Sequence, residues 1–283
     1  MKKITLSDKH IKKFKDILIE EEKSKATIEK YTRDILTFSA YLGEDKVITK
    51  EAIVSYKEYL STHYKPASSN SMLIALNRFL DFLNLPLLKV KLYKIQKKVF
   101  GDEEKELTKA EYTRLLNAAK SKNNDRLYTL LQTICSTGIR VSEHKYITVD
   151  ALKNRKVTIA NKGKIREVYI SKELKKILMD YCKRNDIKTG CIFITRNGKP
   201  LDRSNIWSDM KKLCKEAEVD SAKVFPHNLR HLFAITYYKL TKDLDTLATL
   251  LGHSSIDTTR IYTRKSVKSC TRVYTRMQLC LRN

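Results

Sequence analysis

Five short segments of the sequence concentrate cationic side chains, histidines and a tyrosine in a pattern suited to phosphodiester chemistry. Breaking a phosphodiester without a metal requires a nucleophile, an acid for the leaving oxygen, and cations for the charge that builds on the non-bridging oxygens. Arginine suits the last role because its planar guanidinium binds two phosphate oxygens and keeps its proton. The segments are 137–143 (TGIRVSE), 162–166 (KGKIR), 226–231 (PHNLRH), 250–255 (LLGHSS) and 258–263 (TTRIYT).

Local sequence indicates how two of these segments present their side chains. Arg140 lies two residues after a glycine that ends an apolar run, and the Glu143 carboxylate lies three residues further on, where it could orient the arginine. Spacings of three and four residues place His227, Arg230 and His231 on one face of a helix, so that a single phosphate could contact more than one of them. The segment 162–166 reads as a turn that presents three cations.

The nucleophile has two candidates. A glycine ends one helix, His253 occupies the turn, and Tyr262 follows nine residues later on the next helix. A tyrosine has a pKa near ~10, so it attacks only where cations favour the phenolate or a base removes the proton. Residues 273–276 (VYTR) repeat residues 261–264 (IYTR), which makes Tyr274 an alternative by local sequence. Only the distance from His253 favours Tyr262.

The elements that must position these residues follow from hydrophobic periodicity. Apolar residues recur at helical spacing from 7 to 85 and predict four helices, with N-caps at Ser7, Ser24, Thr49 and either Ser68 or Ser69. Further along the chain, short β-branched runs at 156–160 and 167–170 predict a hairpin with a basic tip. Helices are predicted at 127–136, 172–184, 204–217, 228–240, 243–251 and 255–264. The fold class is therefore mostly α with a small β-sheet (α+β).

A change in composition between the helical N-terminal part of the chain and the mixed part that follows it indicates two domains. Residues 86–106 combine a proline, a lysine-rich run and an acidic patch, which is typical of an interdomain linker. We predict a helical domain at 1–98, a linker at 99–106 and a catalytic domain at 107–283. The last residues, about 266–283, carry an apolar stripe at helical spacing and form a tail.

Charge and cysteine usage narrow the function classes. The chain carries 57 Lys and Arg against 32 Asp and Glu, a formal charge of +25, and both halves are basic. Such a field attracts polyanions, so nucleic acid is the leading partner and an anionic membrane surface the second. Six cysteines without a C-x-x-C pair argue against a zinc site or a disulfide framework. No window approaches the ~20 apolar residues that span a bilayer, so we expect a cytoplasmic protein.

The order of these motifs resembles that of the tyrosine recombinases, the phage-integrase and Xer-type family. The matching motifs are GIRVSE, a K-G hairpin, HNLRH, and LGHSS with a tyrosine nine residues after its histidine, preceded near the N-terminus by the S-x-x-T-x-x-x-Y of Ser24, Thr27 and Tyr31. The resemblance implies a SAM-like core-binding domain followed by a recombinase catalytic domain. It also implies phosphate-binding residues at Arg140, His227, Arg230 and His253, the nucleophile at Tyr262, the general acid at Lys162, and supporting residues at Glu143 and His231.

Besides the second candidate tyrosine, Tyr274, the sequence departs from the family pattern in two places. The hairpin is one residue shorter than the common K-G-x-K version, so Lys164 competes with Lys162 for the role of general acid. His144 stands where the family usually has leucine, and the sequence assigns it no role.

The resemblance implies a site-specific recombinase that cleaves and rejoins DNA through a 3′-phosphotyrosyl intermediate, without ATP, metal or any cofactor. Its implied partners are a double-stranded recombination site, further copies of the chain (a dimer on each site and a tetramer in the synapse) and an accessory directionality factor, in a bacterial cytoplasm or nucleoid. Integration or excision of a mobile element, its resolution, and Xer-like dimer resolution all share this chemistry. Expected DNA contacts are Lys94, Lys97, Lys98, Lys164 and Arg166. The alternatives are a type IB topoisomerase, which relaxes supercoils without pairing sites, and a non-catalytic DNA-binding protein.

Overall fold

The structure is a computed structural model, which describes residues 4–95, 103–161 and 164–263. The chain divides into two compact units, Met1–Lys97 and Lys98–Asn283, and each has its own hydrophobic core. No helix in these described ranges is long and apolar enough to cross a membrane.

The first unit is helical, as the periodicity predicts. Its helices are α1 (Asp8–Glu20), α2 (Lys25–Tyr41), α3 (Lys50–His63) and α4 (Pro66–Phe82). A two-residue antiparallel pair, β1 (Ile4–Thr5) with β2 (Val47–Ile48), was not predicted. Phe14, Phe38 and Phe79 are fully buried at the centre of this unit, so its stability comes mainly from apolar packing between helices.

Three of the four predicted N-caps are confirmed. Ser7, Ser24 and Thr49 each precede a helix in extended backbone conformation. The prediction of Ser68 or Ser69 is wrong, because α4 begins at Pro66, whose fixed φ suits the first position of a helix. The Ser69 hydroxyl instead donates a hydrogen bond to the Leu60 carbonyl at 2.9 Å.

The chain that follows α4 is fixed by two asparagines of that helix. The Asn77 amide exchanges two hydrogen bonds with the Val90 backbone at 2.9 and 3.0 Å. The Asn70 amide does the same with Tyr93 at 2.9 and 2.8 Å. Because these pairs satisfy backbone groups that no sheet or helix satisfies, the segment has a defined path up to Lys94, which is exposed.

The second unit combines nine helices of the described part with one hairpin. The helices are α5 (Lys109–Ser121), α6 (Asp125–Thr137), α7 (Val149–Asn154), α8 (Lys172–Arg184), α9 (Arg203–Lys211), α10 (Cys214–Ala217), α11 (Pro226–Thr241), α12 (Leu244–Leu251) and α13 (Ile256–Thr259). The hairpin joins β3 (Lys156–Asn161) and β4 (Lys164–Tyr169), which pair antiparallel from Lys156↔Tyr169 to Asn161↔Lys164. Two 3₁₀ helices, Val141–Tyr146 and Arg260–Thr263, follow α6 and α13.

Two of the predicted helices are shorter than expected. The predicted helix 204–217 is divided into α9 and α10, and the predicted helix 255–264 continues beyond α13 only as a 3₁₀ helix. The hairpin is confirmed, although β4 begins at Lys164, three residues before the predicted strand. Helix α6 packs against α5, α8 and α11, and buries Leu131 and Ile134 completely. Its C-terminal end therefore has a fixed position, and the motif containing Arg140 starts there.

Candidate active site

Arg230 lies at the centre of the site with only 1% of its surface exposed. It occupies the first turns of α11, and its guanidinium donates hydrogen bonds to the carbonyls of Gly138 and Leu251, both at 2.6 Å. Its Nη2 also lies 3.2 Å from Nε2 of His253. Burial, together with the charge of Arg140, lowers the pKa of Arg230 to about 10, so the side chain remains a cation at neutral pH. The fold thus holds a buried positive charge that an incoming anion would stabilise.

A glycine is required where α6 ends. Gly138 has a φ of +65°, and a Cβ added there would lie 2.4 Å from Cδ1 of Phe233. With no side chain, the backbone can turn sharply, offer its carbonyl to Arg230 and lead directly to Arg140. The glycine of the first motif is therefore explained by both its conformation and its close packing.

Arg140 is oriented by Glu143, as its spacing predicted. The Glu143 carboxylate is 1% exposed and accepts hydrogen bonds from the backbone N–H and Nη1 of Arg140, at 2.7 and 3.0 Å. Nη2 of Arg140 donates to the Gly252 carbonyl at 3.3 Å. Burial alone would raise the pKa of Glu143, but hydrogen bonds from Arg166 and Arg140 outweigh it and lower the pKa to about 2. The carboxylate is ionised throughout the neutral range, while 38% of the Arg140 side chain stays exposed.

Arg166, for which the sequence predicted a DNA contact, makes hydrogen bonds inside the protein. Its Nη1 and Nη2 donate to the two oxygens of Glu143 at 2.9 and 2.6 Å, and its Nε donates to the Leu250 carbonyl at 3.1 Å. Only 10% of the side chain is exposed. Three of the five N–H donors of its guanidinium are therefore engaged by acceptors inside the protein, and the DNA contact at Arg166 stays a prediction.

His253 adopts one tautomer in the free protein. Its Nδ1 lies 2.8 Å from the Thr259 hydroxyl, and its Nε2 faces the Arg230 guanidinium. Since a guanidinium can only donate, Nε2 must accept, and the ring proton lies on Nδ1. Burial and the charges of Arg230 and Arg140 lower the pKa of His253 to about 4. The imidazole is therefore neutral at physiological pH until a phosphate changes its surroundings.

Tyr262 lies in the 3₁₀ helix after α13, beside two histidine rings. Its ring centroid is 4.9 Å from that of His231 and 6.4 Å from that of His253, the latter in a stacked arrangement. Only 6% of the residue is exposed. Burial raises the pKa of Tyr262, although the charges of Arg230 and Arg140 oppose this effect. The hydroxyl is therefore protonated at neutral pH and must lose its proton to act as a nucleophile.

His231 also contacts an acidic residue. Its Nε2 lies 3.3 Å from Oε1 of Glu106, just before α5. The sequence placed His231 among the supporting residues, and this position connects the ring beside Tyr262 to a carboxylate.

A cleft of about 360 Å³ opens beside the buried arginine. Its lining includes Arg140, His227 and Arg230, so three residues predicted to bind phosphate face one space. His227 is exposed there, and its pKa is lowered by partial loss of water and by the charge of Arg230. The cleft is open to solvent and cationic, as a phosphate-binding surface must be.

Two residues of α9, Arg203 and Trp207, line the same cleft and were missed in the sequence. Trp207 is 50% exposed, and the ammonium of Lys211 lies 5.1 Å from its ring centroid. The available signal was an arginine and the chain's single tryptophan spaced by four residues, which share a helix face.

Several predicted residues lie outside the described ranges. These are Lys97, Lys98, Lys162, Tyr274 and the whole tail 266–283, together with the side chain of Lys164. The choice between Lys162 and Lys164 as general acid therefore stays a prediction, as does the tail's role in assembly.

His144, which had no predicted role, lies in the core of the second unit. It is 3% exposed, and its Nδ1–H donates to the Val141 carbonyl at 2.5 Å. Its Nε2 is buried and has no hydrogen-bond partner within the described residues. Burial lowers the pKa of His144, because the charged ring would be removed from water.

Replacing His144 with leucine is expected to stabilise the protein by about 1 kcal/mol, since the change removes a buried acceptor that lacks a partner. The stabilisation should increase as the pH falls below 6.5. The pKa of His144 is lower in the folded protein than in the unfolded chain, so protonation at low pH favours the unfolded state of the wild-type protein but not that of the variant. Urea denaturation of both proteins at pH 8 and pH 5.5 measures the two differences. A destabilised variant at both pH values would mean that His144 contributes packing that leucine cannot replace.

Comparison with known proteins agrees with the geometry. Residues 105–269 match the model of the "Phage integrase family", and residues 11–85 match "Phage integrase, N-terminal SAM-like domain". Tyrosine recombinase XerD of Haemophilus ducreyi is 30% identical, covering 93% of this chain and 94% of its own length. Tyrosine recombinase XerA of Pyrococcus furiosus is also 30% identical, covering 95% and 93%. The solved lambda integrase tetramer bound to a Holliday junction aligns with a TM-score of 0.74 at 19% identity, covering 94% of this chain and 80% of that one.

These matches place the chain among the enzymes that cleave and rejoin DNA through a tyrosine intermediate. The chain belongs to the phage integrase family, and within it to the site-specific tyrosine recombinases related to Xer proteins. This membership favours recombination over both the topoisomerase and the non-catalytic alternatives.

Proposed function

We propose that Tyr262 attacks the scissile phosphate of a recombination site, and that Arg140, Arg230, His227 and His253 bind that phosphate during the reaction. The attack forms a bond between Oη of Tyr262 and phosphorus, and the bond from phosphorus to the 5′-oxygen breaks. Lys162, with Lys164 as the alternative, donates the proton that this oxygen requires. The observation that carries the proposal is the buried Arg230 guanidinium, which lies beside His253 and is flanked by Arg140 and by Tyr262.

The electrostatics of the free protein support this assignment. The charge of Arg140 helps to lower the pKa of Arg230, and both cations favour the phenolate of Tyr262. A phosphate between the two guanidinium groups would relieve their repulsion, and the additional negative charge of the transition state would be stabilised by donors that are already in place. Binding and chemistry therefore depend on the same preorganised cations.

Proton transfer from Tyr262 needs an acceptor because its pKa is raised by burial. His231 assists the transfer of this proton, because its ring contacts Tyr262 and its Nε2 is close to Glu106. Glu143 supports the reaction differently, since it holds Arg140 in place.

The substrate and assembly follow from the same proposal. The helical domain, residues 1–98, and the catalytic domain, residues 107–283, both bind double-stranded DNA, with residues 99–106 as the linker. Lys94, Lys97 and Lys98 contact the backbone of the duplex. Two copies occupy each site and four form the synapse, where the tail 266–283 packs on a neighbouring subunit. The reaction takes place in the cytoplasm, and an accessory directionality factor sets its direction.

The direct test is to trap the covalent intermediate. Incubation of the protein with duplex DNA that carries the candidate site and a nick just beyond the scissile phosphate should give an adduct that survives denaturation, because the short cleaved strand diffuses away. Protease treatment should release the DNA with a peptide attached to its 3′ end. Failure to form an adduct on a site that the protein binds and protects would overturn the proposal.

Affinity for DNA is expected to depend steeply on salt. If about six phosphates are neutralised, Kd should rise roughly 10³-fold or more between about 50 and 200 mM salt, because bound cations displace condensed counterions. Fluorescence anisotropy with a labelled duplex over a salt series measures the slope. A nearly flat profile would show that the charge of +25 is not used for DNA binding.

A further inference from the structure

Arg166 is the most enclosed cation of the hairpin within the described residues. It lies on β4, and its three donor nitrogens all have acceptors: two go to Glu143 and one to the Leu250 carbonyl. Three of its five N–H donors are engaged in this way and only 10% of the side chain is exposed, so little of the guanidinium is open to a phosphate. Its charge therefore acts mainly on the groups around it.

We propose that Arg166 is a positioning residue of the strand-exchange reaction, which fixes Glu143 and through it presents Arg140 to the scissile phosphate. The inference rests on the proposed function, because it assigns Arg166 an effect on a phosphate that Arg140 binds.

The first argument is the shared carboxylate. Oε1 of Glu143 accepts from Nη1 of both arginines, at 3.0 Å from Arg140 and 2.9 Å from Arg166. Oε2 accepts from the Arg140 backbone at 2.7 Å and from Nη2 of Arg166 at 2.6 Å. Each oxygen is therefore held from two sides, and the carboxylate cannot rotate without losing hydrogen bonds to Arg166.

The second argument is charge. Glu143 with Arg140 alone would form a neutral pair, and its carboxylate would compete with a phosphate for the Arg140 guanidinium. With Arg166 added, the three groups carry a net charge of +1. Because Arg166 takes up much of the carboxylate's charge, Arg140 keeps attraction for the phosphate. The exposed fractions fit these two roles. The Arg140 side chain, which would bind the phosphate, is 38% exposed, whereas the Arg166 side chain is only 10% exposed.

The third argument is the contact between Arg166 and the turn that carries His253. Gly252 has a φ of +64°, and a Cβ there would lie 2.7 Å from Cδ of Arg166. Nε of Arg166 binds Leu250, while Nη2 of Arg140 binds the carbonyl of Gly252. The two arginines thus hold the same end of α12, and the glycine of the LGHSS motif leaves room for Arg166.

Lysine cannot take this place. Three acceptors, the two Glu143 oxygens and the Leu250 carbonyl, are met by the planar donors of one guanidinium. An ammonium keeps the charge but cannot reproduce that planar, bidentate geometry. Arg166→Lys is therefore the suitable variant, because it avoids leaving the buried carboxylate without a cationic neighbour on β4.

The test is a double-mutant cycle on single-turnover cleavage of the nicked site, using Arg166→Lys, Arg140→Lys and the double variant. If Arg166 acts through Arg140, Arg166→Lys should slow cleavage about 10²-fold in the wild-type background, a loss typical of a misplaced reacting group. In the Arg140→Lys background the same change should slow cleavage less than about 3-fold, because coupled residues are not additive. The Kd for uncleaved DNA should not change.

Arg184→Lys is the matched control. Arg184 on α8 also forms a bidentate pair, with Nε 3.1 Å from Oδ2 and Nη2 3.0 Å from Oδ1 of Asp125, but its side chain is 55% exposed. The Arg184→Lys variant should cleave the nicked site at the wild-type rate. Wild-type cleavage by Arg166→Lys, or an equal loss in both Arg140 backgrounds, would overturn the inference while leaving the proposed function intact. Absence of cleavage by the wild-type protein on a bound site would overturn both.

Discussion

Replacing Tyr262 with phenylalanine is expected to abolish the covalent protein–DNA adduct and leave DNA binding unchanged. The substitution removes the only atom that would bond to phosphorus, so cleavage should fall by at least about 10⁴-fold, as for other nucleophile deletions. The phenyl ring can keep its contacts with the rings of His231 and His253, so the fold around it should persist. Adduct formation on the nicked site, with Kd measured in parallel, gives both quantities.

Tyr274→Phe provides the comparison, because residues 273–276 repeat the local sequence around Tyr262. Tyr238→Phe on α11 adds a control from the same domain, since Tyr238 packs against the apolar cluster that contains Tyr262. Both controls should form the adduct at the wild-type rate. Loss of the adduct in Tyr274→Phe, with retention in Tyr262→Phe, would assign the nucleophile to the tail.

The sequence could predict the central residues of the site because each is coupled to a local feature. Gly138 and Gly252 both have positive φ values, and each glycine precedes a predicted residue by one or two positions. The spacing of three residues between Arg140 and Glu143 becomes an ion pair at 3.0 Å. Within a turn or on one helix face, the spacing of residues in the sequence fixes their relative positions, which is why these contacts can be predicted without a structure.

The role of Arg166 could not be predicted in this way. Its partner Glu143 is 23 positions away, and the Leu250 carbonyl is 84 positions away. A basic hairpin next to a DNA-binding site indicates a DNA contact, and only the packing of β4 against α12 shows the buried pair. Trp207 was missed for a related reason, since the break between α9 and α10 and the cleft beside them depend on tertiary packing.

Arg230→Lys is expected to lower the rate of cleavage about 10³-fold, near the upper range for removing a preorganised transition-state donor. The guanidinium of Arg230 meets Gly138, Leu251 and His253 at the same time. A lysine can reach only part of this set from one point charge, so a buried carbonyl loses its donor and His253 loses the cation beside Nε2. Single-turnover cleavage measures the rate, and thermal denaturation measures the accompanying loss of stability.

The control for this prediction is Arg114→Lys on α5. Arg114 also donates to two backbone carbonyls, those of Ala217 at 2.8 Å and Glu218 at 3.1 Å, but it lies outside the cleft that His227 and Arg140 line. Its replacement should leave cleavage unchanged. If Arg230→Lys lost stability but cleaved at the rate expected for its folded fraction, Arg230 would serve only to join α6 to α12. A loss of rate well beyond the loss of folded protein means that the same guanidinium, held by two helix ends, also acts on the phosphate.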